Sequence, residues 1–180
     1  MKERPILFSA PMVRAIVDGS KTVTRREVKK RAALDCLAAG FEPAFLTLSG
    51  NADLCPYGQP GDRLWVRETW AEVGIAQADP DKKWFVYREC DNLTDYGGPW
   101  KPSIFMPRRA CRILLEITAV RVERLQDITQ EQAELEGVAC DMSAWTFRDH
   151  FQQLWEAING AGAWNANPWV WAVEFKRVKP

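Results

Sequence analysis

Gly61-Asp62-Arg63-Leu64-Trp65-Val66-Arg67-Glu68-Thr69-Trp70 carries a clear strand pattern. A dense turn signal, Cys55-Pro56-Tyr57-Gly58-Gln59-Pro60, runs into it, and Leu64, Val66, Glu68 and Trp70 then fall on one face of an extended chain. Two longer runs share that period of two. In residues 112–122, Ile113, Leu115, Ile117 and Ala119 alternate against Arg112, Glu116 and Thr118, the longest strand candidate. In residues 168–176, Trp169, Trp171, Val173 and Phe175 line one side. Shorter extended runs lie at Arg4–Phe8, Thr22–Thr24 and Trp84–Tyr87.

Three helices fit between these strands. Residues 9–19 carry Ser9 as an N-cap candidate, Pro11 in the first turn and Gly19 beyond the end. Thr129 and Gln132 form a capping box that opens a helix closed by Gly137. Around residues 147–158, Phe147, Phe151, Leu154, Trp155 and Ile158 recur at helical spacing. Short strands predominate and do not alternate regularly with helices. The expected class is therefore α+β: a small, closed or half-closed mixed β-barrel decorated with helices, not a doubly wound parallel sheet. One domain over residues 1–180 is expected; residues 27–60 have no strong period, and residues 71–108 hold the Trp84–Tyr87 run and then the turn Gly97-Gly98-Pro99-Trp100.

Composition narrows the function. The chain is 47% hydrophobic and 27% charged, as in ordinary globular proteins. No apolar run approaches the ~18 residues of a membrane span, and Met1–Pro5 leads into no signal-like stretch. Five cysteines without paired spacing fit reduced thiols, and a cytoplasmic location is expected. No C-x-x-C pair occurs and the only histidine is His150, so neither a metal nor another cofactor is expected. His150 lies one position off the apolar stripe of its helix, which argues against Ser-His-Asp or Cys-His catalysis. Net charge is zero, yet residues 1–31 hold nine basic and three acidic side chains, and residues 126–160 hold one basic and seven acidic. Basic blocks folded onto one face would attract anions; paired with the acidic blocks they would be ordinary solvated surface.

The densest polar cluster is Asp18-Gly19-Ser20-Lys21-Thr22-Val23-Thr24-Arg25-Arg26. On a regular strand Lys21 and Thr24 would point to opposite faces, and they converge only if the chain turns at Lys21–Thr22. A desolvated lysine there can lose its proton and activate a hydroxyl; the alternative is a solvated cluster beside a strand threonine. Glu136 falls in the expected last turn of its helix, where the dipole disfavours negative charge and would raise its pKa toward that of a general acid. Glu68, on an apolar strand face, needs a partner, for which Lys21, Arg25 and Arg26 are the candidates. Among nine tryptophans, Trp65, Trp70, Trp100, Trp169 and Trp171 are candidates to stack on a base, Trp65 and Trp100 foremost, against the alternative of core packing, which claims most of them.

Four blocks in order, Gly19–Arg25, Gly61–Glu68, Ile128–Gly137 and Val170–Phe175, resemble the ASCH domain (activating-signal-cointegrator homology), a relative of the PUA fold. Cys55-Pro56-Tyr57-Gly58 and Trp169-Val170-Trp171 look like the longer versions carried by bacteriophages and prophages. The resemblance spans nearly the whole chain. It implies a PUA-like barrel with a positively charged cleft in a family proposed to bind RNA. Some small bacterial members are amidohydrolases acting on N4-acetylcytidine and related N4-acylated cytosines, with a lysine as base, a threonine as nucleophile and a glutamate as proton donor. By motif these fall on Lys21, Thr24 and Glu136. The small amidohydrolases are little more than the bare barrel, so the resemblance implies two insertions here, at about 27–60 and 71–108, which leaves substrate size open.

The expectation is thus a protein that takes a cytidine-like nucleoside or single-stranded RNA in a basic cleft. It would hydrolyse an N4-acyl amide with Lys21, Thr24 and Glu136, while Arg25, Arg26, Glu68, Trp65 and Trp100 shape the cleft. The alternative is a non-catalytic RNA- or nucleotide-binding module. A ribonuclease ranks below both, because no clustered acid/base set accompanies the cations.

Overall fold

A computed structural model describes residues 1–75, 79–89, 98–139 and 145–179. The elements run β1 (Glu3–Leu7), α1 (Ala10–Asp18), β2 (Val23–Glu27), α2 (Arg31–Ala38), β3 (Arg63–Arg67), β4 (Trp70–Ile75) and β5 (Asp79–Tyr87). They continue with β6 (Leu114–Arg124), α3 (Gln130–Glu134), α4 (Phe147–Asn159) and β7 (Trp169–Val178). Five strands form one mixed sheet in the order β1-β3-β6-β7-β2, and β4 pairs with β5 alone. Only β1 and β3 run parallel; the other neighbours are antiparallel. The class is α+β. Among the described residues the sheet is open, with β1 and β2 as its two edges. The edges are nevertheless bridged by a side chain, for Nη2 of Arg26 on β2 donates to the carbonyl of Leu7 on β1 at 2.6 Å.

Local sequence explains most of the elements. Pro11 fits the first turn of α1 and Gly19 takes the left-handed conformation at its end, although Ser9 caps only through its backbone. The Thr129–Gln132 capping box is formed, and a second one joins Thr146 to Asp149 at the start of α4. Phe151 and Trp155 bury the inner face of α4, with Leu125, Ile128, Trp164 and Val170 around them. The alternation expected in β6 is interrupted. Ile113, Leu115 and Ile117 face the main core, but a bulge between Ile117 and Ala119 resets the pattern, so that Val120 and Val122, not Ala119, pack there.

Trp70 also departs from the expected face. It begins β4 instead of extending β3, because it pairs with Tyr87 and bridges to Lys101. It packs with Trp65, Met106 and Leu114 in a separate cluster across the sheet from the main core. The first of the segments read as an insertion folds into α2 and short 3₁₀ turns. It lays Ala33 and Leu46, both fully buried, onto the main core. The second supplies the β4–β5 hairpin, while part of its closing turn lies outside the described residues.

Candidate functional site

The site begins where α1 ends. Lys21 donates its backbone N–H to the Ala15 carbonyl at 2.9 Å and forms an isolated antiparallel bridge with Glu136. The N–H groups of Thr22 and Val23 both reach the Leu135 carbonyl, at 3.0 and 3.2 Å, so the chain bends before β2 starts at Val23. The chain thus turns where convergence of Lys21 and Thr24 requires it to.

Gly137 makes the approach possible. Its φ is +72°, and a Cβ there would lie 2.7 Å from the Cβ atoms of Ala15 and Lys21. Helix α3 stops at Glu134, so Glu136 lies in the irregular segment beyond it and not in a last helical turn. The expected dipole effect on its carboxyl therefore has no helix to act through. What surrounds Glu136 is a pair of cations.

Lys21 Nζ donates to Glu136 Oε2 at 2.7 Å and to the carbonyls of Glu136 and Val23, each at 2.8 Å. Arg25 Nη1 donates to Glu136 Oε1 at 3.1 Å. The Lys21 and Arg25 side chains are completely buried and that of Glu136 is 3% exposed. Arg25 is anchored further by Glu123 Oε1, 2.8 Å from its Nε, and by Gln132 Oε1, 2.9 Å from its Nη2. Glu123 Oε2 in turn accepts from Arg121 Nε at 2.8 Å, and Arg121 pairs with Glu174. Charges thus alternate in sign from Lys21 outward through Glu136, Arg25, Glu123 and Arg121 to Glu174. Burial pushes the Lys21 ammonium below the usual lysine range; Glu136 opposes the shift, while Arg26 and Arg25 add to it.

This cluster opens onto a cleft of about 540 Å³, the size of a small-ligand site. Thr24, Arg25, Arg26 and Glu136 line it, and Lys29, Lys30, Pro56 and Tyr57 come from the first inserted segment. Apolar wall is supplied by Met12 of α1 and by Leu154, Trp155 and Ile158 of α4. Burial pushes the Tyr57 phenol up, which keeps it a neutral donor.

The structure therefore pairs Lys21 and Arg25 with Glu136, and it places Thr24, Arg25, Arg26 and Glu136, but not Lys21, on the wall of one cleft. It places Glu68, Trp65 and Trp100 elsewhere. Glu68 is paired by Arg112 and not by Lys21, Arg25 or Arg26: Arg112 Nε and Nη2 reach its two oxygens at 2.9 and 2.8 Å. The reason is the antiparallel register of β3 on β6, which carries Arg112 to the end of β3. Trp65 is buried in the cluster with Trp70 and Met106, and Arg67 covers its ring at 5.0 Å. Trp100 is half-buried next to Lys101, and neither tryptophan lines the cleft.

Sequence reasoning missed Glu123, Gln132 in its second role, and the cleft residues Tyr57, Lys29 and Lys30. Glu123 had one available signal, its place between Arg121 and Arg124 in a strand otherwise rich in apolar residues. Among the described residues, no three of His, Cys, Asp and Glu gather closely enough to hold a metal ion. Nor is any described helix long and apolar enough to cross a membrane. No protein-family model, curated protein or solved structure matches the chain.

Proposed function

We propose that this chain is an ASCH-type amidohydrolase that removes the acyl group from an N4-acylated cytidine. The observation that carries the reading is a completely buried Lys21 paired with Glu136, which lines one cleft together with Thr24. The ASCH resemblance implies the same three residues by motif. The open sheet is read accordingly as a PUA-like barrel whose seam between β1 and β2 is spanned by Arg26.

In this reading Thr24 Oγ1 attacks the acyl carbonyl while Lys21 Nζ takes the hydroxyl proton. The C–N4 bond breaks as Glu136 protonates the departing amine, which leaves as cytidine. Water then hydrolyses the acyl-threonine and regenerates the hydroxyl. The roles of Lys21 and Glu136 depend on one proton. As an ammonium, Lys21 has an acceptor for each of its three N–H groups, and no lone pair with which to act as a base. Shifting one proton along the 2.7 Å contact to Glu136 Oε2 yields a neutral amine and a carboxylic acid, the pair the reaction needs. Desolvation of Lys21 favours that shift.

The same three acceptors also support a second reading, in which Lys21 is a permanently charged strut and the cleft only binds a nucleotide or RNA. The deciding experiment is hydrolysis of N4-acetylcytidine, without added metal, by wild type, Lys21→Ala, Thr24→Ala and Glu136→Ala. Wild type is expected to release cytidine and acetate, and each variant to lose about 10²–10⁴-fold in rate. A folded wild type that releases neither product overturns the hydrolase and leaves the binding module.

A further inference from the structure

The cations nearest the proposed chemistry are balanced, since Lys21 and Arg25 share Glu136 and Glu123. The other three cations lining the cleft are not. Arg26 gives one N–H to the Leu7 carbonyl and rests its guanidinium 5.3 Å over the Phe8 ring. Its Nε–H is buried without an acceptor among the described residues. Lys30 donates to a backbone carbonyl, that of Asp53, which neutralises no charge. Lys29 has only a loose contact with Glu27, at 3.7 Å between two exposed side chains. Three cations against one carboxylate leave this part of the cleft with positive charge and unused donors.

Its position relative to Thr24 is informative. Arg26 follows Thr24 by two residues on β2, about 7 Å along the strand. Tyr57, Trp155 and Leu154 add the apolar and aromatic wall that a base requires. We propose that Arg26, Lys29 and Lys30 form a phosphate subsite, so that the preferred substrate is a phosphorylated N4-acylcytidine and not the free nucleoside. The phosphate belongs either to a mononucleotide or to a strand containing the modified residue. The substrate class rests on the hydrolase reading above; the subsite itself does not.

Two sets of measurements separate these claims. Calorimetric titration compares cytidine with cytidine 5′-monophosphate on wild type, Lys29→Glu, Lys30→Glu and Arg26→Ala. Turnover is compared on N4-acetylcytidine, its 5′-monophosphate and a short oligoribonucleotide carrying one N4-acetylcytidine. Lys29 is exposed and bonds no backbone group, so Lys29→Glu reports on charge without threatening the fold, whereas Lys30→Glu and Arg26→Ala each also free a backbone carbonyl, of Asp53 and Leu7. The monophosphate is expected to bind wild type at least about tenfold tighter than cytidine at low salt, as one or more charge-assisted hydrogen bonds provide. That advantage should shrink with added salt and fall toward unity in Lys29→Glu and Lys30→Glu. Higher kcat/KM on the monophosphate or on the oligonucleotide supports the subsite, and the larger value identifies the source of the phosphate. Tighter phosphate-dependent binding without turnover on any of the three sinks the hydrolase reading and retains the subsite. Equal affinity for cytidine and its monophosphate overturns the subsite, whatever the turnover.

Discussion

Glu136 and Glu68 are both buried carboxylates gripped by cations, and each grip is different. Glu68 is held by a single guanidinium in a two-pronged pair, with the Arg112 side chain 24% exposed and lying 4.1 Å over the Tyr87 ring. That arrangement fixes the end of β3 against the segment entering β6, and satisfies both oxygens from one side. Glu136 is divided between two cations on different bonds, Lys21 on one oxygen and Arg25 on the other. It also lines the cleft, whereas Glu68 does not. Burial and charge pairing alone therefore do not mark a site; a partner able to release a proton, next to an open cavity, does. An arginine cannot fill that role at any accessible pH, and a desolvated lysine can.

Replacing each carboxylate by its amide breaks this comparison most severely. In Glu136→Gln one N–H of the new amide must face either Lys21 or Arg25, donor against donor, and both cations are completely buried. The loss expected from breaking such a pair is about 3–5 kcal/mol by urea unfolding, together with the loss of N4-acetylcytidine hydrolysis. In Glu68→Gln, Arg112 retains access to water, and about 1–2 kcal/mol is expected, with turnover within about threefold of wild type. Comparable turnover losses in the two variants would mean that the cleft around Thr24 is not where the reaction occurs.

Gly137 offers a milder disturbance on the Glu136 side alone. Gly137→Ala puts a side chain at φ +72° and within 2.7 Å of two Cβ atoms, one of them that of Lys21. The left-handed conformation costs about 1–2 kcal/mol and the overpacking about 1–3 kcal/mol. Differential scanning calorimetry should show the lowered stability, and hydrolysis should fall because the new side chain presses on the bridge between Lys21 and Glu136. Wild-type turnover at reduced stability would show that the Lys21–Glu136 distance is not critical.

The two regions also differ in how far they could be read from sequence. Gly19, Thr129 and Gln132 are local punctuation, and the helix end and capping box they dictate hold in the structure; Gly137 is left-handed but does not close α3, which stops at Glu134. Those signals frame Lys21 and Glu136, so the residues of that region are legible before any contact is known. Glu68 was legible as buried and in need of a partner, but its partner lies 44 residues away and is fixed by strand register. Register between distant strands has no local signature, and the bulge in β6 that replaces Ala119 by Val120 is of the same kind. The early end of α3 misled the dipole argument for Glu136, because Glu136 pairs with Lys21 in an extended bridge instead of continuing the helix. The cleft wall from Lys29 to Tyr57 depends on how an aperiodic segment packs, which no spacing rule gives.

The smallest expected effect tests whether α3 does more than fold. Gln132 Oε1 serves two donors, the Thr129 backbone N–H at 3.2 Å and Arg25 Nη2 at 2.9 Å. Thr129 accepts from the Gln132 N–H at 3.3 Å and hydrogen-bonds the Glu131 side chain, but it does not touch Arg25. Thr129→Ala and Gln132→Ala should therefore each cost about 1 kcal/mol by urea unfolding. They should part on activity. Arg25 loses one of its three anchors only in Gln132→Ala, and hydrolysis of N4-acetylcytidine should fall several-fold there while Thr129→Ala stays near wild type. Equal activities would confine Gln132 to the cap and remove α3 from the chain of contacts that holds Glu136 in place.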